Sequence, residues 1–253
     1  MKRRAWITGA SSGIGRAVAL RLARDGWLVA ASARDGDAMR TLADEAREAA
    51  GAVEPWPLDV TDADATVRAA AGIETTHGAL DLVIFNAGTH KPMGAADFDP
   101  QIVRTLLDVN LMGVANGLAA VLPGFLRRRS GQIMVVASLA GYRGLPTAAA
   151  YGASKAGLIN MAEALRPELA RQGVTLTLVN PGFVRTPLTD LNTFEMPFLM
   201  EVEAAADRIV AAIGSRRFEV VFPRRFAWLL KVARCLPYAV YFAIVGRLRG
   251  NER

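Results

Sequence analysis

The chain has 253 residues, one cysteine (Cys235) and a formal net charge of +6. Because 52% of its residues are hydrophobic, 21% are charged and no tract has low complexity, the composition predicts a folded globular protein and excludes a disordered chain. The lone cysteine excludes an intramolecular disulfide, which favours a reducing compartment. The basic residues 2–4 precede an apolar run too short for a signal peptide, so we expect a cytoplasmic protein.

The first predicted element is a short strand at residues 6–7, which runs directly into a glycine-rich turn. From residue 14 to residue 26, apolar positions recur with the period of a helix. A helix N-terminus attracts anions, and glycines let a phosphate approach the backbone, so this turn predicts a dinucleotide site. An ordinary tight turn is the alternative. The residues predicted to contact the dinucleotide here are Gly9, Ser11, Ser12, Gly13, Ile14 and Gly15.

A second predicted strand, residues 27–33, ends at Arg34. In dinucleotide-binding folds an acidic residue at this point accepts the ribose hydroxyls of NAD, whereas an arginine suits the 2′-phosphate of NADP. Ala33 stands where the acid is expected, and Arg34 follows it. The sequence therefore predicts NADP(H) in preference to NAD(H). The alternative is an arginine that is merely solvated.

A helical stretch over residues 37–50 leads to a third predicted strand, residues 53–58, which is followed by Asp59 and Val60. Both residues are candidates for contacts to the adenine, because they follow the end of a strand. Asp59 is also a candidate N-cap for a helix that starts near Thr61. The two roles of Asp59 are compatible.

A fourth predicted strand, residues 80–85, runs into Asn86, Ala87 and Gly88. The small residues of this tripeptide leave room for a ribose close to the backbone. The side-chain amide of Asn86 can tie neighbouring strands together, because it both donates and accepts hydrogen bonds. All three residues are therefore predicted to contact the cofactor.

A long apolar helical segment over residues 100–129 contains Asn110. A polar amide in such surroundings is usually a satisfied core group or a point where the helix bends, and a catalytic role is the alternative. Residues 132–137 form the fifth predicted strand, and Ser138 lies at its tip.

Tyr151 and Lys155 lie four residues apart on a predicted helix over residues 149–172, so they share one helix face. A phenol has a pKa of about 10, and a fixed positive charge beside it that lowered this pKa by ~3 units would make it a usable acid or base. A solvated helix face is the ordinary alternative. Pro167 is expected to kink this helix or end it early.

The sixth predicted strand, residues 175–179, is followed by Pro181, Gly182, Val184 and Thr186. Strands that alternate with long helices predict an α/β fold, in which one doubly wound, Rossmann-like parallel sheet has helices on both faces. The candidate residues all follow strand ends, and the carboxyl ends of parallel strands meet at one edge of the sheet. We therefore expect a site at that edge.

Several motifs occur in order along the chain. They are Thr8-Gly-x-x-x-Gly-x-Gly15, Asn86-Ala-Gly88, Asn110, Ser138, Tyr151-x-x-x-Lys155 and Pro181-Gly182 with Thr186. Together they resemble the short-chain dehydrogenase/reductase superfamily over residues 4–222. We therefore interpret residues 1–222 as an NAD(P)-binding domain of this type, with a substrate lid at about residues 186–201.

The resemblance implies four catalytic roles. Tyr151 would protonate the carbonyl oxygen as hydride reaches the carbon, and Lys155 would lower the pKa of Tyr151 and hold the nicotinamide ribose. Ser138 would bind the substrate oxygen, and Asn110 would steady a water in the proton relay. Arg34 matches the NADP-preferring position of the superfamily. The resemblance also implies a homodimer or homotetramer, paired through the helices at residues 100–129 and 149–172.

The predicted lid is unusually apolar, which suggests a lipophilic substrate if it closes over the site. A loop that packs on the core is the alternative. Its apolar residues are Leu188, Leu191, Phe194, Met196, Phe198, Leu199 and Met200. No motif predicts a metal site or nucleic-acid binding.

The positive charge is confined to residues 223–253, which we call the C-terminal extension. This segment holds seven basic residues and one acidic residue, whereas residues 1–222 hold 23 of each sign. Its helical pattern places Phe226, Leu229, Leu230 and Ala233 on one face. Two short apolar helices with Trp, Tyr and basic residues suit the surface of an anionic membrane, and packing on the lid or on another subunit is the alternative.

The sequence thus favours an NADPH-dependent carbonyl reductase, or the reverse alcohol dehydrogenase. Its substrate would be an apolar ketone or secondary alcohol, such as a steroid-like or fatty-acyl-derived compound. An epimerase or isomerase on the same fold is one alternative. A non-catalytic NADP-binding redox sensor is another, although a sensor does not need the four catalytic residues.

Overall fold

A computed structural model describes residues 2–192 and 196–250, the last four by their backbone only. Its strands are β1 (Arg4–Thr8), β2 (Leu28–Ser32), β3 (Ala52–Pro55), β4 (Leu82–Phe85), β5 (Gln132–Val136), β6 (Thr175–Pro181) and β7 (Glu219–Phe222). They form one parallel sheet in the order β3-β2-β1-β4-β5-β6-β7. The order reverses between β1 and β4, which places the carboxyl ends of these two strands at the switch point of a doubly wound sheet.

Helices cover both faces of this sheet. They are α1 (Gly13–Arg24), α2 (Gly36–Glu45), α3 (Ala63–His77), α4 (Pro100–Leu107), α5 (Gly113–Arg128), α6 (Ala149–Arg171), α7 (Val202–Val210), α8 (Arg224–Cys235) and α9 (Tyr238–Gly250). Helices α1, α2 and α7 bury their apolar residues in one core cluster, and α3, α5, α6 and α8 bury theirs in another. The predicted Rossmann-like fold with C-terminal helices is confirmed.

Successive residues of a strand enter opposite core clusters, because side chains alternate between the two faces of a sheet. In β4, Leu82 and Ile84 belong to the cluster under α1, whereas Val83 and Phe85 belong to the cluster under α5. All four are fully buried. Burial on both faces explains why these strands read as continuous apolar runs in the sequence.

Strand β7 was not predicted from the sequence. It pairs only with β6, at the edge of the sheet, and only Phe222 among its four residues is buried. A short edge strand with half-buried side chains carries a weak pattern, because it lacks both the continuous apolar run and a regular alternation.

The apolar segment predicted at residues 100–129 is two α-helices joined by a π-helical turn, Asp108–Met112, which contains Asn110. The segment Pro100–Arg128 is long and apolar enough to cross a membrane by length and composition. In this fold, however, α4 packs on α6 and α5 packs on α3, so much of its apolar surface belongs to the core.

Helix α6 does not end early at Pro167, contrary to one of the expected effects of that residue. It continues to Arg171, and its C-cap is Gln172. Pro167 removes one N–H donor, but packing holds the final turn: Leu169 is buried in the core and Val174 N donates to Leu169 O. Tertiary contacts here override the local preference against proline.

Helix α8 follows β7 directly and packs on the core through Ala227 and Leu230, while Phe226 is partly buried beside them. The predicted apolar face of α8 is therefore confirmed for Phe226 and Leu230. It is wrong for Leu229, which is exposed. The buried face of α8 is centred on residues 226, 227 and 230. Leu229 lies one residue before Leu230, so its side chain points about 100° away around the helix.

Candidate active site

The glycine-rich turn between β1 and α1 is shaped by close backbone approaches. Gly9 has φ of 69°, and Gly13 has φ of 54°, a region that favours glycine. A Cβ atom on Gly15 would lie 2.3 Å from the carbonyl oxygen of Gly9 and 2.4 Å from Nδ2 of Asn86. Glycine is therefore required at position 15 so that α1 can start directly under the turn.

Asn86 fastens this turn to the end of β4. Its side-chain Nδ2 donates to the carbonyl oxygens of Thr8 at 3.2 Å and Gly9 at 2.9 Å. In return, the backbone N–H groups of Asn86 and Ala87 donate to Oγ1 of Thr8 at 3.1 Å and 3.2 Å. The predicted tie between neighbouring strands is thus present, at the switch point of the sheet.

The predicted adenine end of the site lies beyond β2 and β3. Arg34 is exposed, and among the residues described by the structure no hydrogen bond or ion pair engages its guanidinium. Asp59 lies near enough for the positive charge of Arg34 to help lower the pKa of its carboxyl. Hydrogen bonds from Thr61 to Oδ1 of Asp59, at 2.9 Å from the backbone and 2.8 Å from the hydroxyl, are the larger cause of that lowered pKa.

Asp59 does not cap a helix, contrary to the prediction. Helix α3 begins at Ala63, and its N-cap is Asp62, whose Oδ1 accepts from Ala65 N at 2.8 Å. Asp59 instead folds the chain into a tight turn with Thr61, which delays the helix by two residues. Its neighbour Val60 is buried against Gly113.

Tyr151 and Lys155 occupy adjacent turns of α6, at the ends of β4 and β5. Lys155 is buried, and its Nζ donates to the carbonyl oxygen of Val136 at 3.0 Å. The same Nζ lies 5.7 Å from the centre of the Tyr151 ring. The hydroxyl of Tyr151 forms a hydrogen bond with Ser138, which is itself buried at the tip of β5.

Burial dominates the ionisation of both groups. It lowers the pKa of Lys155 to about 8, because a buried ammonium loses its hydration. It raises the pKa of Tyr151, and the hydrogen bond with Ser138 opposes this rise only in part. The expectation that Lys155 lowers the pKa of Tyr151 stays a prediction.

Asn110 lies in the π-helical turn and is completely buried. Its Oδ1 accepts from Thr89 N at 2.7 Å, and its Nδ2 donates to Thr89 O at 3.0 Å and to Ser154 Oγ at 2.9 Å. These bonds hold the loop after β4 against α6. Asn110 is thus both the satisfied core group and the helix irregularity that the sequence predicted, and π-turns are frequent at functional sites.

A cleft of about 190 Å³ runs along this edge of the sheet. Three of the four predicted catalytic residues line it, namely Ser138, Tyr151 and Lys155. The fourth, Asn110, lies behind Gly88. The predicted cofactor contacts that line it are Gly9, Ser11, Ser12, Gly13, Ile14, Asn86, Gly88, Tyr151, Lys155, Pro181, Gly182, Val184 and Thr186. The others, Gly15, Arg34, Asp59, Val60 and Ala87, do not line it.

A second, mostly apolar pocket of about 110 Å³ adjoins this cleft. Its apolar walls come from Leu139, Leu145, Phe183, Leu188 and Phe226. Ser138, Tyr151, Gly182, Leu188 and Thr189 line both spaces. The hydroxyls of Ser138 and Tyr151 therefore lie at the junction of a polar, glycine-lined cleft and an apolar pocket.

Sequence reasoning missed two polar residues of the apolar pocket, His90 and Asn192. The ring of His90 meets the Tyr151 ring edge to face at 4.7 Å between centroids, and its Nε2 lies 3.2 Å from Oδ1 of Asn192. Burial lowers the pKa of His90, so its neutral form is favoured. The sequence spacing could not predict this pair, because about a hundred residues separate His90 from Asn192. The only sequence feature that pointed to the site was the position of His90, four residues after Asn86.

Some residues of the predicted lid line the site, and others pack on the core. Leu188 lines both spaces, whereas Met200 packs on the core beneath α1 and bonds its backbone to Phe183 and Arg185. Phe198 is exposed and lies against Phe226 at 6.1 Å between ring centroids. Leu191 is exposed, Met196 and Leu199 are partly buried, and Phe194 lies outside the described residues.

Comparisons with known proteins show the family of the chain. A sequence model of the short chain dehydrogenase family matches residues 3–195. An oxidoreductase of Myxococcus xanthus is 44% identical over 247 residues, 98% of each chain. A 3-oxoacyl-(acyl-carrier-protein) reductase of Thermotoga maritima is 35% identical over 184 residues, 73% of this chain and 75% of that one. The solved alcohol dehydrogenase of Thermococcus sibiricus, complexed with 5-hydroxy-NADP, is 26% identical with a TM-score of 0.80, covering 88% of this chain and 96% of that chain.

Proposed function

Because the chain belongs to the short-chain dehydrogenase/reductase family and is an oxidoreductase, we propose that it transfers a hydride between NADP(H) and an apolar ketone or secondary alcohol. One observation carries this proposal. The hydroxyls of Ser138 and Tyr151 lie where the glycine-lined cleft meets the apolar pocket, so a carbonyl group can reach both from the apolar side.

The polar cleft fits a dinucleotide. A pyrophosphate at the start of α1 would meet backbone N–H groups and glycines whose missing side chains leave the backbone open. Arg34, exposed and unpaired among the described residues, is available to a 2′-phosphate, and Ala33 offers no carboxylate to repel it. The nucleotide complex of the Thermococcus sibiricus relative supports the same choice. Bound NADPH would supply the hydride.

Tyr151 is suited to supply the proton. Its raised pKa keeps the phenol protonated at neutral pH, which is the form that a general acid needs for reduction. Ser138 accepts from Ala140 N at 3.1 Å, which fixes its Oγ beside the Tyr151 hydroxyl. Both hydroxyls would therefore donate to the oxygen of the substrate, Ser138 to orient it and Tyr151 to protonate it.

Lys155 and Asn110 would support this transfer from behind. A Cβ on Gly88 would lie 3.4 Å from Oδ1 of Asn110 and 3.5 Å from Nζ of Lys155, so the two groups flank the same small space. Oδ1 of Asn110 accepts one hydrogen bond and has capacity for a second. A water held between them would return a proton towards Tyr151, and Lys155 would also hold the nicotinamide ribose.

The apolar pocket favours a lipophilic substrate. Its walls are hydrophobic, and the hydroxyls of Ser138 and Tyr151 are among the few polar groups that line it. The ketoacyl reductase names of two relatives, from Thermotoga maritima and Streptomyces coelicolor, favour a fatty-acyl-derived ketone over a steroid-like one. Carbonyl reduction is therefore the proposed direction.

The test is NADPH oxidation, followed by absorbance, over a panel of short and long ketones and 3-oxoacyl thioesters. We expect turnover whose kcat/KM rises with the length of the apolar chain. An epimerase or isomerase would convert its substrate without net loss of NADPH, and a redox sensor would bind NADPH without turning over any member of the panel. Either result would contradict the proposed reaction.

Two proposals concern the assembly and location of the protein. A homodimer or homotetramer paired through α4, α5 and α6 is expected from the family, and the exposed Met112 on this surface supports it. Light scattering that gave a monomer at micromolar concentration would contradict it. The protein is also proposed to act in the cytoplasm, attached peripherally to membranes through the C-terminal extension.

A further inference from the structure

Helix α8 has two apolar faces. Its inner face forms part of the substrate pocket: Phe226 lines that pocket and stacks on Phe183 at 5.6 Å between ring centroids. Its outer face leaves large apolar side chains in solvent, with Trp228 69%, Leu229 60% and Val232 57% exposed. More than half of each of these side chains is exposed, so they are available to a partner.

Helix α9 continues the exposed surface. Tyr241 is buried, whereas Tyr238 is 72% and Phe242 is 62% exposed, and the rings of these two stack at 5.8 Å between centroids. We call these two aromatics and Trp228, Leu229 and Val232, on two consecutive helices, the outer apolar surface. Large apolar side chains that are exposed in such numbers often mark a binding surface.

The surface is held in a fixed position relative to the substrate pocket. The guanidinium of Arg143 donates to the carbonyl oxygens of Ala233 at 3.2 Å and Arg234 at 2.7 Å, and it lies 4.3 Å from the centre of the Tyr241 ring. The hydroxyl of Tyr241 donates to the carbonyl oxygen of Gly144. Arg143 and Gly144 directly precede Leu145 of the pocket wall, so the corner between α8 and α9 is fastened to the pocket.

The positive charge of the C-terminal extension indicates which kind of partner binds the outer apolar surface. The C-terminal extension holds seven basic residues and one acidic residue, and Arg224, Arg225 and Arg234 are exposed beside the outer apolar surface. Lys231 is paired with Glu219 and is less available. A second copy of this chain would bring the same positive charge face to face and be repelled. An anionic lipid surface would be attracted, while Trp and Tyr rings prefer the headgroup boundary.

We infer that the outer apolar surface inserts into the headgroup region of an anionic membrane and that the pocket behind Phe226 receives its substrate from the bilayer. The docking step stands on the exposed residues and their charge. The delivery step also rests on the proposed function. It names the substrate class as membrane lipids that carry a ketone or a secondary alcohol.

Docking is tested by sedimentation with vesicles of phosphatidylcholine alone or with 30% phosphatidylglycerol, at low salt. The unchanged protein should sediment with the anionic vesicles only, and 0.5 M NaCl should release much of it. The double variant Trp228→Ser, Leu229→Ser should bind at least ~10-fold more weakly, because the membrane no longer buries these side chains. Phe98→Ser removes an exposed aromatic 59% accessible on the main domain and should bind as the unchanged protein does.

Several results would overturn the docking step. The protein could remain in the supernatant with anionic vesicles, or the double variant could sediment as well as the unchanged protein. A third contradicting result would be a protein that does not bind vesicles but self-associates in light scattering, with the double variant losing that self-association. The outer apolar surface would then join copies of this chain. None of these measurements depends on activity, so they remain decisive if no ketone is reduced.

Delivery is tested by comparing kcat/KM for a long-chain ketone embedded in anionic vesicles with kcat/KM for a short water-soluble ketone. The double variant should lose several-fold on the embedded ketone and nothing on the soluble one. Equal loss on both, or loss on neither, would overturn delivery from the bilayer while leaving the docking result intact. Absence of turnover with either ketone in the unchanged protein would instead refute the proposed reaction.

Discussion

Nζ of Lys155 lies 5.7 Å from the centre of the Tyr151 ring and bonds to the carbonyl oxygen of Val136, not to the phenol hydroxyl. The lysine thus sits under the ring, while Ser138 holds the hydroxyl. Burial raises the pKa of the phenol, so Tyr151 is protonated at neutral pH. The hydroxyl and the ammonium thus have different partners, although both side chains stand on one face of α6.

Replacing Tyr151 by Phe should remove turnover while leaving NADPH affinity within a few-fold of its original value. The hydroxyl gives a proton to the substrate, and loss of a general acid typically costs 10²–10⁴-fold in rate, whereas the ring remains in place. Steady-state kinetics and fluorescence titration with NADPH measure the two quantities. Tyr238→Phe, on an exposed ring, is the matched control and should change neither. Activity above one tenth of the original would show that Tyr151 is not the acid.

The pH dependence of kcat/KM for NADPH should follow the ionisation of Lys155. Its pKa of about 8 means that it carries its charge below pH 8 and loses it as the pH rises further. Tyr151, with a raised pKa, stays protonated over the same interval. Because kcat/KM for NADPH reports ionisations of the free enzyme, it should be level below about pH 8 and fall above it, approaching ~10-fold per pH unit. A profile that stays level to pH 9.5 would contradict the assignment.

Arg34→Asp should erode or reverse the preference for NADP(H). An arginine–phosphate contact contributes about 1.5–3 kcal/mol, so its loss corresponds to roughly 10–100-fold in the ratio of kcat/KM for NADPH and NADH. The introduced carboxylate would also accept the ribose hydroxyls of NADH. Arg47→Asp, on a side chain 77% exposed beyond α2, changes the net charge equally and should leave the ratio unaltered. Equal efficiency of the unchanged protein with both cofactors would refute the preference.

The sequence predicted the fold and most of the cleft because these depend on local patterns. The turn at Gly9 to Gly15, the strand ends and the Tyr151–Lys155 spacing are each legible within a few residues. Parallel pairing then brings the strand ends together without further information. Strand β7 was missed because a short edge strand has little pattern of its own.

The apolar pocket could not be predicted from the sequence in the same way. His90, Asn192 and Phe226 come from three distant segments, and only packing brings them to one wall. The hydrogen bond of Lys155 could not be predicted from spacing either. A helical turn places Lys155 near Tyr151, but its ammonium donates to Val136, which belongs to β5.

The contact between His90 and Asn192 yields the last prediction. His90 follows β4, Asn192 belongs to the predicted lid, and their hydrogen bond at 3.2 Å links the lid to the loop beside Tyr151. In His90→Phe, a ring still meets Tyr151 but the bond to Asn192 is lost. Since such a bond contributes ~1 kcal/mol, KM for the ketone should rise about fivefold, with kcat and NADPH affinity little changed.

Asn192→Ala should raise KM to a similar extent, and the double variant should be no worse than either single one, because all three lose the same bond. The non-additivity distinguishes a shared contact from two separate effects on the pocket. Full additivity would show that His90 and Asn192 contact the substrate independently. A fall in kcat with unchanged KM in His90→Phe would instead place the histidine in the chemistry at Tyr151.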